Sequence, residues 1–272
     1  MSETRQDRGP TARPGACAFR VEGLSLTIDG KAILRDVSLP FPKGELIGIL
    51  GHNGSGKSTL MRIMARQQKP TAGRIQVFDE DLDKLAERDF ARRVAYLPQD
   101  IGAGADMTVR ELVACGRYPW HGALGRFSAR DAEKVEAALA ATRIEGLAAR
   151  LVGTLSGGER QRVWIAMLIA QDSECLLLDE PTAALDIAHQ MEILSLVRGL
   201  CHSSGLSVIV VLHDINMAAR FCDRIHALKN GQVVASGTPA SIVEPEQLKT
   251  IYGLSMGTLP APGLNTPLAY VQ

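Results

Sequence analysis

Apolar and polar positions alternate along Phe19, Val21, Leu24, Leu26 and Ile28, the pattern of a half-buried strand closed by a turn at Asp29-Gly30. At Glu45–Leu50 the alternation gives way to a short apolar run ending in glycine, as in a strand buried on both faces of a parallel sheet. A helix is expected from Lys57 to about Arg66, and further strands at Arg74–Phe78, Val94–Leu97, Cys175–Asp179 and Leu206–Leu212. Between Ile101 and Leu155 the pattern turns helical. Thr108-Val-Arg-Glu111 reads as a capping box there, and Ser128-Ala-Arg-Asp131 as a looser version of one. Beyond residue 223, short strands at Arg224–Leu228 and Gln232–Ala235 meet at Asn230-Gly231, a hairpin signal. Short helices are expected near Pro239–Val243 and Pro245–Tyr252. The order predicts an α/β core carrying an inserted helical subdomain.

Composition narrows the partners. The 272 residues include 30 basic and 30 acidic side chains, so the formal net charge is zero. A nucleic-acid binder needs a basic excess to neutralise phosphates, and none is present. A transmembrane helix needs about 20 consecutive apolar residues, and the longest uncharged runs, Trp164–Ala170 and Val208–Leu212, are far shorter. The five cysteines lie far apart without metal-ligand spacing, which predicts reduced thiols in a reducing compartment. Residues 1–16, rich in Arg, Pro, Gly and Thr, are expected to form a disordered tail rather than a secretory signal. These features predict a soluble, cytosolic protein.

Gly51-His-Asn-Gly-Ser-Gly-Lys-Ser58 matches GxxxxGK[ST] between an expected strand and an expected helix, the context this phosphate loop requires. Its glycines allow tight turning, so that successive N–H groups point at phosphate oxygens. The following helix N-terminus adds a favourable dipole. The expected nucleotide-binding set is Gly51, His52, Asn53, Gly54, Ser55, Gly56, Lys57, Ser58 and Thr59. Lys57 supplies charge to the β- and γ-phosphates, and Ser58 a hydroxyl for Mg²⁺.

Cys175-Leu-Leu-Leu-Asp-Glu-Pro181 delivers two carboxylates to a strand's C-terminal edge, where α/β sheets bind ligands. Asp179 is placed to hold Mg²⁺. Glu180 is the candidate to polarise the water that attacks the γ-phosphate. His213, after the strand at Leu206–Leu212, would orient that water or the γ-phosphate. Gln99, after Val94–Pro98, could reach the Mg²⁺ shell. Leu155-Ser-Gly-Gly-Glu-Arg-Gln-Arg162 opens another helix with Ser156 as N-cap and Glu159 at N3. Capping does not explain two glycines, poor helix formers, in the first turn.

Taken together, Gly51–Ser58, Gln99, Leu155–Gln161, Leu176–Pro181, Ala184-Leu-Asp186 and His213 resemble the ordered motifs of ATP-binding-cassette proteins. The resemblance runs from about Phe19 to the C-terminus. It implies a P-loop NTPase core with an antiparallel β subdomain and an inserted helical subdomain. The cassette domain is expected over 17–254, its helical subdomain over about 101–160, and a C-terminal tail over 255–272. It further implies two copies paired head to tail around two MgATP. Ser156, Gly157, Gly158 and Glu159 would face the ATP held by the other copy, and Asp186 would lie at the dimer seam. Many family members stack an aromatic residue on adenine. By spacing that position falls near Ile28, so base contact is expected to be apolar.

Thr108–Val113, Gly116-Arg-Tyr-Pro-Trp-His-Gly-Ala-Leu-Gly-Arg-Phe127, Leu212–Ala219 and Ile251-Tyr-Gly253 are most similar to the ATPase of ferric-hydroxamate (ferrichrome-type) siderophore importers. That resemblance implies a peripheral subunit on the cytoplasmic face of the cell's inner membrane. It would be bound to an integral-membrane permease and served indirectly by a substrate-binding protein. Tyr118, Trp120 and Phe127 are either packing residues of the helical subdomain or part of the cleft that receives the permease's coupling helix. Alternative cargoes are heme, cobalamin and other siderophores; a non-transport ATPase of the same class is a remote alternative.

Overall fold

The computed structural model describes residues 16–100, 104–122, 125–183, 185–263 and 266–272. The expected disordered tail, Ala16 excepted, lies outside these residues, as do Ala123, Leu124 and Ala184 of the motifs above. Strands β1 (Cys17–Ile28) and β2 (Lys31–Pro42) form an antiparallel hairpin through Asp29 and Gly30. The pair shifts register at several points, which breaks simple alternation. β2 nevertheless buries Leu34, Val37, Leu39 and Phe41. β3 (Leu46–Leu50) follows and is wholly buried, as its apolar run requires. It feeds α1 (Lys57–Met64), after which β4 (Ala72–Val77) and the short β5 (Glu80–Asp81) return to the hairpin. These strands make a four-stranded antiparallel sheet in the order β2-β1-β4-β5.

Helix α2 (Glu87–Arg93) leads into β6 (Val94–Leu97), and the chain then enters its helical region. This holds α3 (Val109–Cys115), α4 (Tyr118–His121), α5 (Ala129–Thr142) and α6 (Gly157–Ala170). Both expected capping boxes are complete: Asp131 does for Ser128 what Glu111 does for Thr108. A buried ion pair, Arg117 Nε to Asp131 Oδ1 at 2.8 Å, joins α5 to the start of α4. Arg117 also donates to the Ala170 carbonyl at 2.7 Å, so its charge is satisfied where water is absent. Hydrogen bonds from Ser128 and Arg117 outweigh the cost of burial and hold the Asp131 carboxyl at about 2.

β7 (Cys175–Asp179), α7 (Ile187–Ser204), β8 (Ser207–Val211), α8 (Ile215–Phe221), β9 (Arg224–Lys229) and β10 (Gln232–Gly237) complete the core. The main sheet runs β10-β9-β3-β8-β7-β6, parallel except for the β9–β10 hairpin. Its central strands send alternate residues to opposite faces. Leu46, Leu50, Leu176, Leu178, Val208 and Val210 pack against α3 and α5–α8. Ile47, Ile49, Leu177, Ile209 and Val211 pack against α1 and the antiparallel sheet. Two cores therefore share one sheet, which explains why β3, β7 and β8 lack polar alternation.

The chain ends in α9 (Pro239–Ile242), α10 (Pro245–Tyr252), β11 (Met256–Leu259) and β12 (Leu268–Val271). The segment expected as a tail thus carries an antiparallel hairpin. It is held by Asn216 of α8, whose amide donates to the Ala269 carbonyl (3.0 Å) and accepts from the Ala269 N–H (2.8 Å). No helix among the described residues is long and apolar enough to cross a membrane.

Candidate active site

Register brings the functional loops to one level. Ile49 and Asp179 both pair with Val211, and Leu97 pairs with Leu178, so β3, β6, β7 and β8 present their C-terminal ends together. A cleft of about 310 Å³ opens at this edge. Asn53, Gly54, Gly56, Lys57, Ser58 and Thr59 line one side, and Gln99, Glu180 and His213 the other. The remaining expected phosphate-loop residues do not line it. Gly51 is buried at its base, and Ser55 is 3% exposed. His52 turns away to α10, its Nε2 lying 3.1 Å from the Tyr252 carbonyl and its ring edge-on to the Tyr252 ring.

The chain's own contacts shape the loop. Gly56, at φ 100°, caps α1, and a side chain there would strike Leu34. Lys57 bends back to the carbonyls of Gly51 (2.8 Å) and His52 (2.9 Å). Burial lowers its pKa, while the nearby carboxylates of Glu180 and Asp179 work against that shift. Asp179 shows the converse: burial raises its pKa against a hydrogen bond from the Ser58 hydroxyl at 3.1 Å. Tyr96 beside it is pushed up to about 12 by burial and the Asp179 charge.

Glu180 is held in the left-handed region, φ 54°, and its side chain is only 10% exposed. Each of its oxygens has its own donor. His213 Nε2 lies 2.7 Å from Oε1, and Gln99 Nε2 lies 2.7 Å from Oε2. A carboxylate offers about four acceptor directions, so this grip leaves room for a water proton. Strained backbone that delivers a fixed, nearly buried carboxylate beside a phosphate loop has the geometry of a general base. The sequence brought Gln99 to this edge as a metal-shell residue; the structure puts its amide nitrogen on Glu180. The Ser58 hydroxyl and the Asp179 carboxylate are a hard-oxygen donor pair, and a buried carboxylate disfavoured as an anion gains from a cation. These residues fit Mg²⁺.

Ser156, Gly157, Gly158 and Glu159 lie elsewhere, at the start of α6. Ser156 caps the helix by accepting from Glu159 N–H, while the Glu159 carboxylate accepts from Ser156 N–H and Oγ–H (2.8 and 2.9 Å). These bonds hold the Glu159 pKa below the ordinary carboxylate range. Asp186 caps α7 through His189 N–H (2.9 Å) and pairs with His189 Nδ1 (2.8 Å). The His189 partnership was missed in the sequence, although an Asp-x-x-His at a helix start could have signalled it. Cys201, His202 and Asp223 also converge, within 4.8 Å. Their atoms are engaged: His202 bonds Asp223, Asp223 accepts from Leu46 N–H, and Cys201 faces the Gly44 carbonyl. They form a clasp between the end of α7 and the chain around β3 and β9.

A phosphate loop, a Ser58–Asp179 pair and a clamped Glu180 on one sheet edge, with a separate glycine-led helix, define a P-loop ATPase of cassette type. The chain belongs to the ABC transporter family, whose profile matches residues 34–183. It is 42% identical to the achromobactin transport ATP-binding protein of Dickeya dadantii over 245 residues, 90% of this chain and 91% of that protein. It is 41% identical to the ferric enterobactin transport ATP-binding protein of Escherichia coli over 250 residues, covering 92% of each chain. The iron(3+)-hydroxamate import ATP-binding protein of Bacillus subtilis is 39% identical over 251 residues, 92% of this chain and 93% of that one. Among solved structures, an inward-facing metal-chelate type ABC transporter superposes with a TM-score of 0.81 at 27% identity, covering 93% of this chain and 96% of that one. A bacterial ABC transporter cassette described as dimeric gives 0.71 at 29% identity, covering 81% and 98%.

Proposed function

We propose that this chain is the ATP-hydrolysing subunit of an importer for iron(III)–siderophore complexes of the hydroxamate type. The observation that carries the ATPase reading is the Glu180 carboxylate, gripped by His213 and Gln99 opposite Lys57 and Ser58. In this reading the N–H groups opening α1 and the Lys57 ammonium hold the β- and γ-phosphates. Ser58 and Asp179, with Gln99 at their margin, would hold Mg²⁺, which would supply charge to neutralise the phosphates. Glu180 accepts a proton from the attacking water, and His213 keeps the carboxylate aimed and borders the γ-phosphate. The exposed Ile28 at the end of β1 offers adenine an apolar contact.

One chain supplies only half of each catalytic unit. Among the described residues, Ser156, Gly157, Gly158 and Glu159 do not line the cleft at Lys57 and Ser58, and in this reading they would close on the ATP of a second copy, with Asp186 at the seam. Closure would favour one state of a permease because ATP binds the closed pair more tightly. The helical subdomain presents Tyr118 (57% exposed) and Phe127 (48%) around α4. Arg88 and Arg92 fix α4 through the Pro119 and Trp120 carbonyls, and Trp120 donates to the Gln171 carbonyl. Trp120 is thus a packing residue, while Tyr118 and Phe127 are open to a permease helix. The protein would sit peripherally on the cytoplasmic face of the inner membrane, with a substrate-binding protein acting through the permease.

The cargo class rests on the Gly116–Phe127 element and on the siderophore importers among the relatives. Deletion of the gene, followed by growth on ferric hydroxamate, ferric catecholate or cobalamin as separate sources, tests it. Loss confined to the hydroxamate, restored by the wild-type chain and not by Glu180→Gln, is expected. Undiminished growth on the hydroxamate with loss on cobalamin would replace this cargo by the other.

A further inference from the structure

His189 stands between two segments that the proposed function treats separately, the signature turn at Ser156–Gly158 and the seam residue Asp186. Its ring is locked from one side. Asp186 Oδ1 accepts its backbone N–H, and Asp186 Oδ2 lies 2.8 Å from its ring Nδ1. From the other side the ring lies on the backbone of Gly158. A Cβ built there would fall 2.5 Å from His189 Cδ2 and 3.1 Å from both Cγ and Nε2. The ring occupies the space a side chain would need, so a methyl at this glycine would displace the ring. One turn further along both helices, Arg162 of α6 and Glu192 of α7 form an ion pair at 2.6 Å. The two contacts bind the start of α6 to the start of α7 at successive levels.

Asp186 and His189 are both well exposed, with side chains 65% and 45% accessible. Exposed pairs of this kind add little to stability, so packing alone is a poor reason for a ring held by the carboxylate that also caps its helix. We propose that His189 is a positioning residue for the signature turn: through Asp186 it sets the distance between Gly157–Gly158 and the seam, and so couples ATP capture by a second copy to the connection that carries Glu180. This rests on the reading above that Ser156–Gly158 meet the ATP of a second copy. Asp186 and Glu180 belong to the same connection between β7 and α7, which ties the seam residue to the chain's own cleft.

The test uses the full chain carrying Glu180→Gln, to hold ATP uncleaved, with MgATP as ligand and two readouts: nucleotide affinity of the single chain and the ATP concentration at which chains pair. His189→Ala is expected to leave single-chain affinity within about twofold, which also reports that it folds, while raising the ATP needed for pairing roughly tenfold. Gly158→Ala is expected to impair pairing more strongly, because its methyl meets the ring. Adding His189→Ala to Gly158→Ala should then recover pairing to the level of His189→Ala alone. Equal pairing by His189→Ala and its parent, or a double variant worse than Gly158→Ala, would overturn the inference. If the Glu180→Gln parent itself stays single at saturating MgATP, the pairing reading fails and this inference falls with it.

Discussion

The two glycine-led helix starts make an instructive contrast. At α1 the loop is sunk into the sheet edge, Lys57 is buried, and Asp179, Glu180 and His213 are supplied by the same chain. At α6 Ser156 and Gly157 are exposed, the cap is self-sufficient through Ser156 and Glu159, and none of the residues 156–159 lines the cleft. Both are helix N-termini with donors to offer an anion. On the function proposed above, the first is surrounded by groups that would cleave a phosphate, and the second would only bind one. The proposed function thus gives chemistry to the α1 start and dependence on a second copy to the α6 start.

The largest expected effect separates binding from chemistry at the first site. Glu180→Gln should lower turnover by ~10²–10⁴, the usual worth of a general base, while ATP affinity stays near that of the wild type. Steady-state hydrolysis alongside nucleotide titration checks it. Lys57→Ala should act on the other quantity, weakening ATP binding by roughly 10- to 100-fold because charged hydrogen bonds to phosphate are lost. If Lys57→Ala binds normally, the preformed loop is not the triphosphate site.

Acid should distinguish the two regions as well. His226 of β9 pairs with Ile49, just before the phosphate loop, and bonds the Pro40 carbonyl and the Ser236 hydroxyl. Burial depresses its pKa from the usual 6.5 to about 4. The unfolded chain then takes up a proton that the folded chain refuses, so stability falls as pH drops from 6.5 towards 4, by on the order of 3 kcal/mol in full. Near α6 the sign is the familiar carboxylate one. Glu159 and Asp186 are depressed, the first by its bonds to Ser156 and the second by its bonds to His189, so their contribution persists above the ordinary carboxylate range and is lost only below it. Denaturant unfolding from pH 7 to 4 should show the His226 loss first, and His226→Gln should flatten it. The smallest effect is expected of Ser156→Ala, about 1 kcal/mol of stability from a lost cap. Single-chain ATP affinity should not change, which would separate the two regions again.

Much of the phosphate-loop region was legible in the sequence because backbone rules write it: an apolar strand, a glycine turn, a helix. The α6 start was legible for the same reason, since Ser156 and Glu159 stand at capping distance. Strand β2 was not, because its register shifts against β1 break the period that reveals strands. The C-terminal hairpin escaped because its strands, Met256–Leu259 and Leu268–Val271, are too short to show alternation, and it is held by a distant amide at Asn216. The grip of Gln99 on Glu180 and the ring of His189 on Gly158 depend on which loops meet across the sheet edge. No local spacing encodes those meetings.

On the proposed function one chain is half of a catalytic unit, completed when the α6 start of one copy covers the cleft of another. Sedimentation equilibrium of the Glu180→Gln chain, with and without saturating MgATP, tests this directly. Single chains are expected without nucleotide and, with MgATP, a pair enclosing one ATP per chain. A chain that binds MgATP fully and remains single would contradict it.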